Sequence, residues 1–188
     1  KKFREARLLF ENILRAQPNL FSANKELGLI YKAEARLGDA ISQFSRAAKL
    51  QPQDHEVLFE LGQLYFRRGK NNTASKYYLK AISIKEQSTY YLALAHLYEN
   101  SGQVKDCITA YQKAYQLDND NYEAVFRLGV LTLNAGEFKR AAQYLKIALN
   151  LKSNSGEVYK YFGILLRKQK QYDKSKEALF KAKLLNKY

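Results

Sequence analysis

Hydrophobic residues in this chain recur at helical spacing, and the runs break at regular intervals. In the stretch 55–87, Leu58, Leu61, Leu64 and Tyr65 fall on one stripe. Gly69-Lys70-Asn71-Asn72 then interrupts it with turn formers, and Ala74, Tyr78, Ala81 and Ile82 form a second stripe. The pattern predicts a helix–turn–helix hairpin that cannot cover its own apolar faces alone. Along the whole chain it predicts helices over 3–16, 21–34, 38–50, 55–68, 72–84, 88–100, 105–117, 122–134, 138–151, 156–169 and 173–186. Ala6, Phe10, Ile13 and Leu14 make the buried stripe of the first. Pro18 stops that helix, because proline has no amide hydrogen and disfavours helix at the residue before it. Asp54 is placed to cap the helix that starts at His55. Ser101-Gly102 and Ala135-Gly136-Glu137 read as hairpin turns, and Asp118-Asn119-Asp120-Asn121 and Ser153-Asn154-Ser155-Gly156 as polar connectors.

The hairpins repeat. Gly28, Gly62, Ala95, Gly129 and Gly163 follow one another at steps of 34, 33, 34 and 34 residues. Tyr65 has counterparts in Tyr31, Tyr98, Thr132 and Leu166, and Ala81 in Ala47, Ala114, Ala148 and Ala182. Ala74 is matched by Ala6, Ala40, Cys107, Ala141 and Ser175. Pro18 and Pro52 close their units where Glu86, Asn119, Ser153 and Lys187 close the later ones. A period of about 34 residues with a small residue midway in each helix is the signature of stacked helical hairpins. No linker is long enough to divide the chain. The expected organisation is one array over 1–188: a lone second helix in 1–20, then repeats at 21–54, 55–87, 88–121, 122–155 and 156–188.

The chain resembles the tetratricopeptide repeat family. The resemblance rests on Leu27-Gly28-Tyr31 and Leu61-Gly62-Tyr65, on Ala40-Phe44-Ala47 and Ala74-Tyr78-Ala81, and on Pro52. It runs through essentially all residues, although the last unit places Leu166, Ser175 and Leu179 in three key slots. The aromatic that often opens the family's first helix is replaced by Asn24, Leu58 and Val125, with Tyr91 and Tyr159 the exceptions. The resemblance implies an all-α solenoid of antiparallel helix–turn–helix repeats in a right-handed superhelix, with first helices lining a concave, peptide-binding face.

Composition narrows the function. The net charge is +14, and the lysines are spread through every unit rather than gathered in a run, as on a solvated helix surface. One cysteine excludes a disulfide framework and a multi-cysteine metal site. Cys107 stands in the slot of Ala6, Ala40, Ala74 and Ala141, so a buried, inert thiol is expected. His55 and His96 fall in different repeats, with no second histidine at metal-ligand spacing and no carboxylate cluster around either, and the glycines sit at turns and helix crossings rather than in a phosphate loop. No enzyme activity, cofactor or metal is expected of these residues. No apolar run approaches membrane-spanning length. The chain opens on the second helix of a hairpin and has no Met, so it reads as an excerpt of a longer protein whose compartment is open.

Setting the core stripe of each first helix aside leaves a second stripe at i, i+4 and i+7. Its members are Lys25, Leu29 and Lys32; Phe59, Gln63 and Phe66; Leu92, His96 and Glu99; Phe126, Val130 and Leu133; and Lys160, Ile164 and Arg167. The pattern is apolar in the middle and basic at both ends, with Arg67, Arg127 and Lys168 alongside. Phenylalanines on a face meant for water alone would be costly, and such patches usually mark interaction sites. Three helices about 8–10 Å apart would make a trough roughly 20 Å long, enough for a few turns of helix or about six residues of extended chain. The expected partner is a protein or peptide with apolar anchors and acidic flanks. Nucleic acid or an anionic membrane on the basic surface is the second reading, and self-association the third. The alternative for Phe59, Phe66 and Phe126 is that they lean on second helices and complete the core. The slots of the family's lysine–asparagine carboxylate clamp hold Lys25 and Leu29, then Glu60, Leu92 and Ala93, which argues against a chaperone-tail receptor. Glu26, Glu60, Ala93, Arg127 and Tyr161 likewise replace an asparagine ladder.

Overall fold

Among the described residues, 2–185 with side chains from residue 4, the computed structural model is helical throughout and contains no strand. The helices are α1 (Lys2–Ala16), α2 (Phe21–Ala33), α3 (Leu37–Leu50), α4 (His55–Arg67), α5 (Asn71–Ile84), α6 (Ser88–Asn100), α7 (Val104–Leu117), α8 (Tyr122–Asn134), α9 (Phe138–Leu151), α10 (Gly156–Lys168) and α11 (Tyr172–Leu185). From the end of α1 to the start of α11, every boundary lies within one residue of its sequence expectation. Asn186 and Lys187, expected to close the last helix and its unit, lie outside the described residues.

The same turn closes each hairpin. One residue adopts the left-handed conformation: Ala35 (φ 57°), Gly69 (70°), Gly102 (69°), Gly136 (78°) and Lys170 (60°). The amide of the next residue then donates to a carbonyl five positions back: Arg36 to Tyr31, Lys70 to Tyr65, Gln103 to Tyr98, Glu137 to Thr132 and Gln171 to Leu166, at 2.8–2.9 Å. This bond satisfies a carbonyl that the helix end leaves open. It uses only backbone, so Thr132 and Leu166 serve as well as tyrosine does. The left-handed residue is another matter, because a Cβ there costs about 1–2 kcal/mol. Ala35→Gly and Lys170→Gly should therefore each stabilise by about 1 kcal/mol once glycine's greater unfolded entropy is subtracted. Thermal melts read this directly, and a lowered melting temperature for either would contradict the turn geometry.

Close helix crossing explains the repeated glycine. A Cβ built at Gly28 would lie 3.0 Å from the Phe44 ring, at Gly62 2.5 Å from Tyr78, at Gly129 2.8 Å from Leu145 and at Gly163 2.7 Å from Leu179. The small slot of the second helices is covered from α3 to α11, while Ala6 in α1 is half-buried. Ala40, Ala74, Cys107 and Ala141 are all buried, and Ser175 fits because its hydroxyl donates to the Gly163 carbonyl at 2.8 Å. The first helices α4, α8 and α10 are pinned at their starts by side-chain caps, whereas Leu20 before α2 supplies none. Asp54 accepts from the Val57 amide at 2.8 Å, Asn121 from Ala124 at 3.0 Å and Ser155 from Val158 at 3.3 Å.

The chain forms two compact units, Lys1–Leu97 and Tyr98–Tyr188, dividing within α6. In the first, α1 packs on α2, α2 on α3, α3 on α4 and α4 on α5 around Leu27, Phe44, Leu61 and Leu64. Leu14 is the buried member of the α1 stripe, while Phe10 and Ile13 are half-covered. In the second, α7 packs on α8, α8 on α9, α9 on α10 and α10 on α11 around Val125, Leu145, Val158 and Leu165.

Candidate functional site

The second stripe of the first helices meets a different fate in each unit. In the first unit, Phe59, Gln63, Phe66, Leu92 and His96 are all half-buried. Phe59 stacks on Tyr90 with ring centroids 4.3 Å apart and tilts against Tyr78 at 5.5 Å. Its faces are thus largely used within the unit. Tyr90 is itself held by His55, whose Nδ1 lies 2.7 Å from the tyrosine hydroxyl. Beyond Phe59, the residues Gln63, Phe66 and His96 come together with Arg67, Tyr78 and Ala93 around a cavity of about 170 Å³. α4 supplies Gln63, Phe66 and Arg67, α5 supplies Tyr78 and α6 supplies Ala93 and His96. Burial and the neighbouring Glu60 push the Tyr78 phenol well above its ordinary value, so it stays neutral in the wall.

The basic end expected at α2 is already occupied. The Lys25 ammonium donates to Glu56 at 2.6 Å and to Asp54 at 3.2 Å. Burial works against its charge, but these two carboxylates outweigh that and raise its pKa, while Lys25 lowers that of Glu56. Lys32 donates to Glu60 and to the Gln63 side-chain oxygen. Neither lysine offers a naked positive flank. The reason is that α4 presents Asp54, Glu56 and Glu60 to α2, and pairing across adjacent helices took precedence over solvent exposure.

In the second unit the expected open run of Phe126, Val130 and Leu133 is corrected. Phe126 is 5% exposed and Leu133 6%, so both belong to the core, and Val130 is half-buried against it. The Phe126 ring lies parallel to Tyr122 at 5.9 Å and meets Tyr161 edge-on at 5.6 Å. Tyr161 lies outside the stripe, so the stripe alone could not reveal the cover. Ile164 is half-buried, and Lys160 and Arg167 are exposed as expected, with Lys160 5.9 Å from the Tyr161 ring.

Cys107 is buried, and desolvation, helped by Glu99, pushes its thiol up to about 11. It stays protonated near neutrality, which is poor chemistry for a nucleophile. Among the described residues no trio of His, Cys, Asp or Glu is placed to hold a metal, and no helix is long and apolar enough to cross a membrane.

Helical hairpins of nearly one length, crossing at glycine or alanine and closed by one turn, define a helical-repeat protein, a class that presents stacked helices as binding surface. The chain belongs to the tetratricopeptide repeat family, whose sequence model matches residues 26–89 and 92–156. Repeats of this family generally serve protein–protein interaction and are generally non-enzymatic scaffolds. Similar proteins include the human protein O-mannosyl-transferase TMTC1, 26% identical over 128 residues, covering 68% of this chain and 14% of that protein. The bovine BBSome complex member BBS4 is 28% identical over 127 residues, covering 68% of this chain and 24% of that protein. The chain thus spans a quarter or less of the length of these relatives. Among solved structures, YrrB, described as a TPR protein with an unusual peptide-binding site, superposes with a TM-score of 0.82 at 17% identity. That match covers 94% of this chain and 91% of the other, and it shows a shared fold.

Proposed function

We propose that this chain is a non-enzymatic adaptor that captures a protein segment at the first-unit cavity between α4 and α6. The observation that carries the reading is the convergence of Gln63, Phe66 and His96 on one cavity of about 170 Å³, with Arg67 at its wall. One apolar side chain of the partner fills the cavity, and a neighbouring carboxylate meets Arg67. The segment binds across the ends of α4 and α6 in the helix-in-groove or extended mode. Phe59 acts as a wall of this face rather than as a free anchor, because Tyr78 and Tyr90 already hold its ring.

The test is an array of short acidic peptides, each with one bulky apolar residue, probed with the wild-type chain, Phe66→Ser and Arg67→Glu. Both variants should lose binding about tenfold or more while melting as wild type does, as truncation of a central anchor does at interfaces. Binding should persist as salt is raised. If instead affinity for a DNA duplex dominates and falls steeply with salt, the basic surface is the binding element and the adaptor reading fails. Sedimentation of the free chain reports self-association: assembly that Phe66→Ser abolishes would replace the peptide with a second copy.

A further inference from the structure

The second and fifth repeats differ at two facing positions, and the difference opens a crevice. Tyr78 and Leu179 stand opposite Gly62 and Gly163, so they share a slot, and their preceding residues Tyr77 and Ala178 share the next one. Tyr65 and Leu166 likewise correspond, each lending its carbonyl to the same turn bond. In the second repeat the two tyrosine rings stack, with centroids 5.5 Å apart and planes only 5° from parallel. They are packed against the core of their unit. In the fifth repeat the pair is Leu166 and Ala178, and both line an open crevice of about 520 Å³ formed by α9, α10 and α11.

The crevice has a definite chemistry. Ala142, Phe162 and Leu165 extend its apolar lining. Its charged residues are Lys146, Lys174 and Lys181 against the single carboxylate of Glu177. Lys181 is exposed, and its ammonium lies 4.4 Å from the Tyr159 ring centroid. Lys146 and Lys174 are exposed. An apolar slot with an excess of positive charge repels a basic or purely polar occupant and attracts one that is greasy at its centre and negative at its edges. A slot bounded by three helices and open to water also admits a chain passing along it.

We propose that this crevice takes an acidic peptide segment through one bulky apolar side chain, seated where Tyr65 and Tyr77 lie in the second repeat. Carboxylates on either side of that anchor meet Lys146, Lys174 and Lys181. The site is separate from the cavity between α4 and α6 and stands or falls without it.

The test uses a fluorescein-labelled short peptide with one central phenylalanine between aspartates, titrated into the whole chain and read by anisotropy. Leu166→Tyr with Ala178→Tyr rebuilds the stacked pair that the second repeat already tolerates, and it should weaken binding about tenfold or more without lowering the melting temperature. Lys146→Gln with Lys174→Gln, both at exposed positions, should weaken binding and reduce its salt dependence. All of these titrations are made in a Phe66→Ser background, so that the cavity between α4 and α6 does not contribute and the signal reports the crevice alone. Three results would each overturn the proposal: equal binding by the tyrosine-filled variant, equal binding of a peptide with alanine at its centre, or capture of anionic lipid vesicles but not of the peptide.

Discussion

Phe126→Glu should destabilise the second unit by about 3–5 kcal/mol, the cost of removing a buried aromatic ring, with more added by the stranded carboxylate. The ring is 5% exposed and lies between Tyr122 and Tyr161, so glutamate would leave part of that space empty and place its charge among aromatic faces. Typical domains have only about 5–15 kcal/mol in total, so the effect is a large fraction of stability. Circular dichroism melts of the variant and the wild-type chain read it. A variant that melts like wild type and loses only partner binding would put Phe126 on an open face and refute the core assignment.

Gly62→Leu carries the second large effect. The Cβ alone would sit 2.5 Å from the Tyr78 ring, closer than carbon atoms approach, and the rest of the leucine must go further in. Overpacking of this kind costs about 1–3 kcal/mol and occasionally more. Gly62→Ala is the informative control. Alanine gains about 1 kcal/mol over glycine in helix propensity, which offsets part of the cost of moving the Tyr78 ring aside. The third repeat already accommodates Ala95, fully buried, in this slot. The expected order in urea melts is therefore wild type close to Gly62→Ala and well above Gly62→Leu. A leucine variant as stable as wild type would mean that α4 and α5 separate freely at this crossing.

The helices, their ends and the crossing glycines were legible because each depends on local pattern. The stripe of Leu58, Leu61 and Leu64 is read from spacing, Asp54 from cap chemistry, and Gly62 from its recurrence across repeats. The candidate site was legible in part. Gln63, Phe66 and His96 were picked out as a face, and they do converge on one cavity. Arg67 lies beside that face, whereas Tyr78 reads as core from the second stripe and Ala93 falls outside both stripes of its helix. Tyr78 serves both, one side of its ring against Gly62 and another on the cavity. The crevice of the fifth repeat has a sequence signal in Leu166 standing where Tyr65 stands, and Ala178 lines it from the next helix.

Periodicity by itself determined that this chain is an array of helical hairpins, where each begins and ends, and which slots must stay small. Those properties follow from the geometry of a single helix and of its nearest neighbour in sequence. Only the tertiary structure decided which residues outside the core stripe remain uncovered. Phe59 and Phe126 hold the same place in their helices, yet Tyr161 closes over one and Tyr90 stacks on the other to leave it half-buried. Lys25 and Lys32 read as a positive fringe until Glu56 and Glu60 reach them from the next repeat. Exposure and free charge are settled by side chains about 30 residues away, and helical spacing carries no record of where those will fold back.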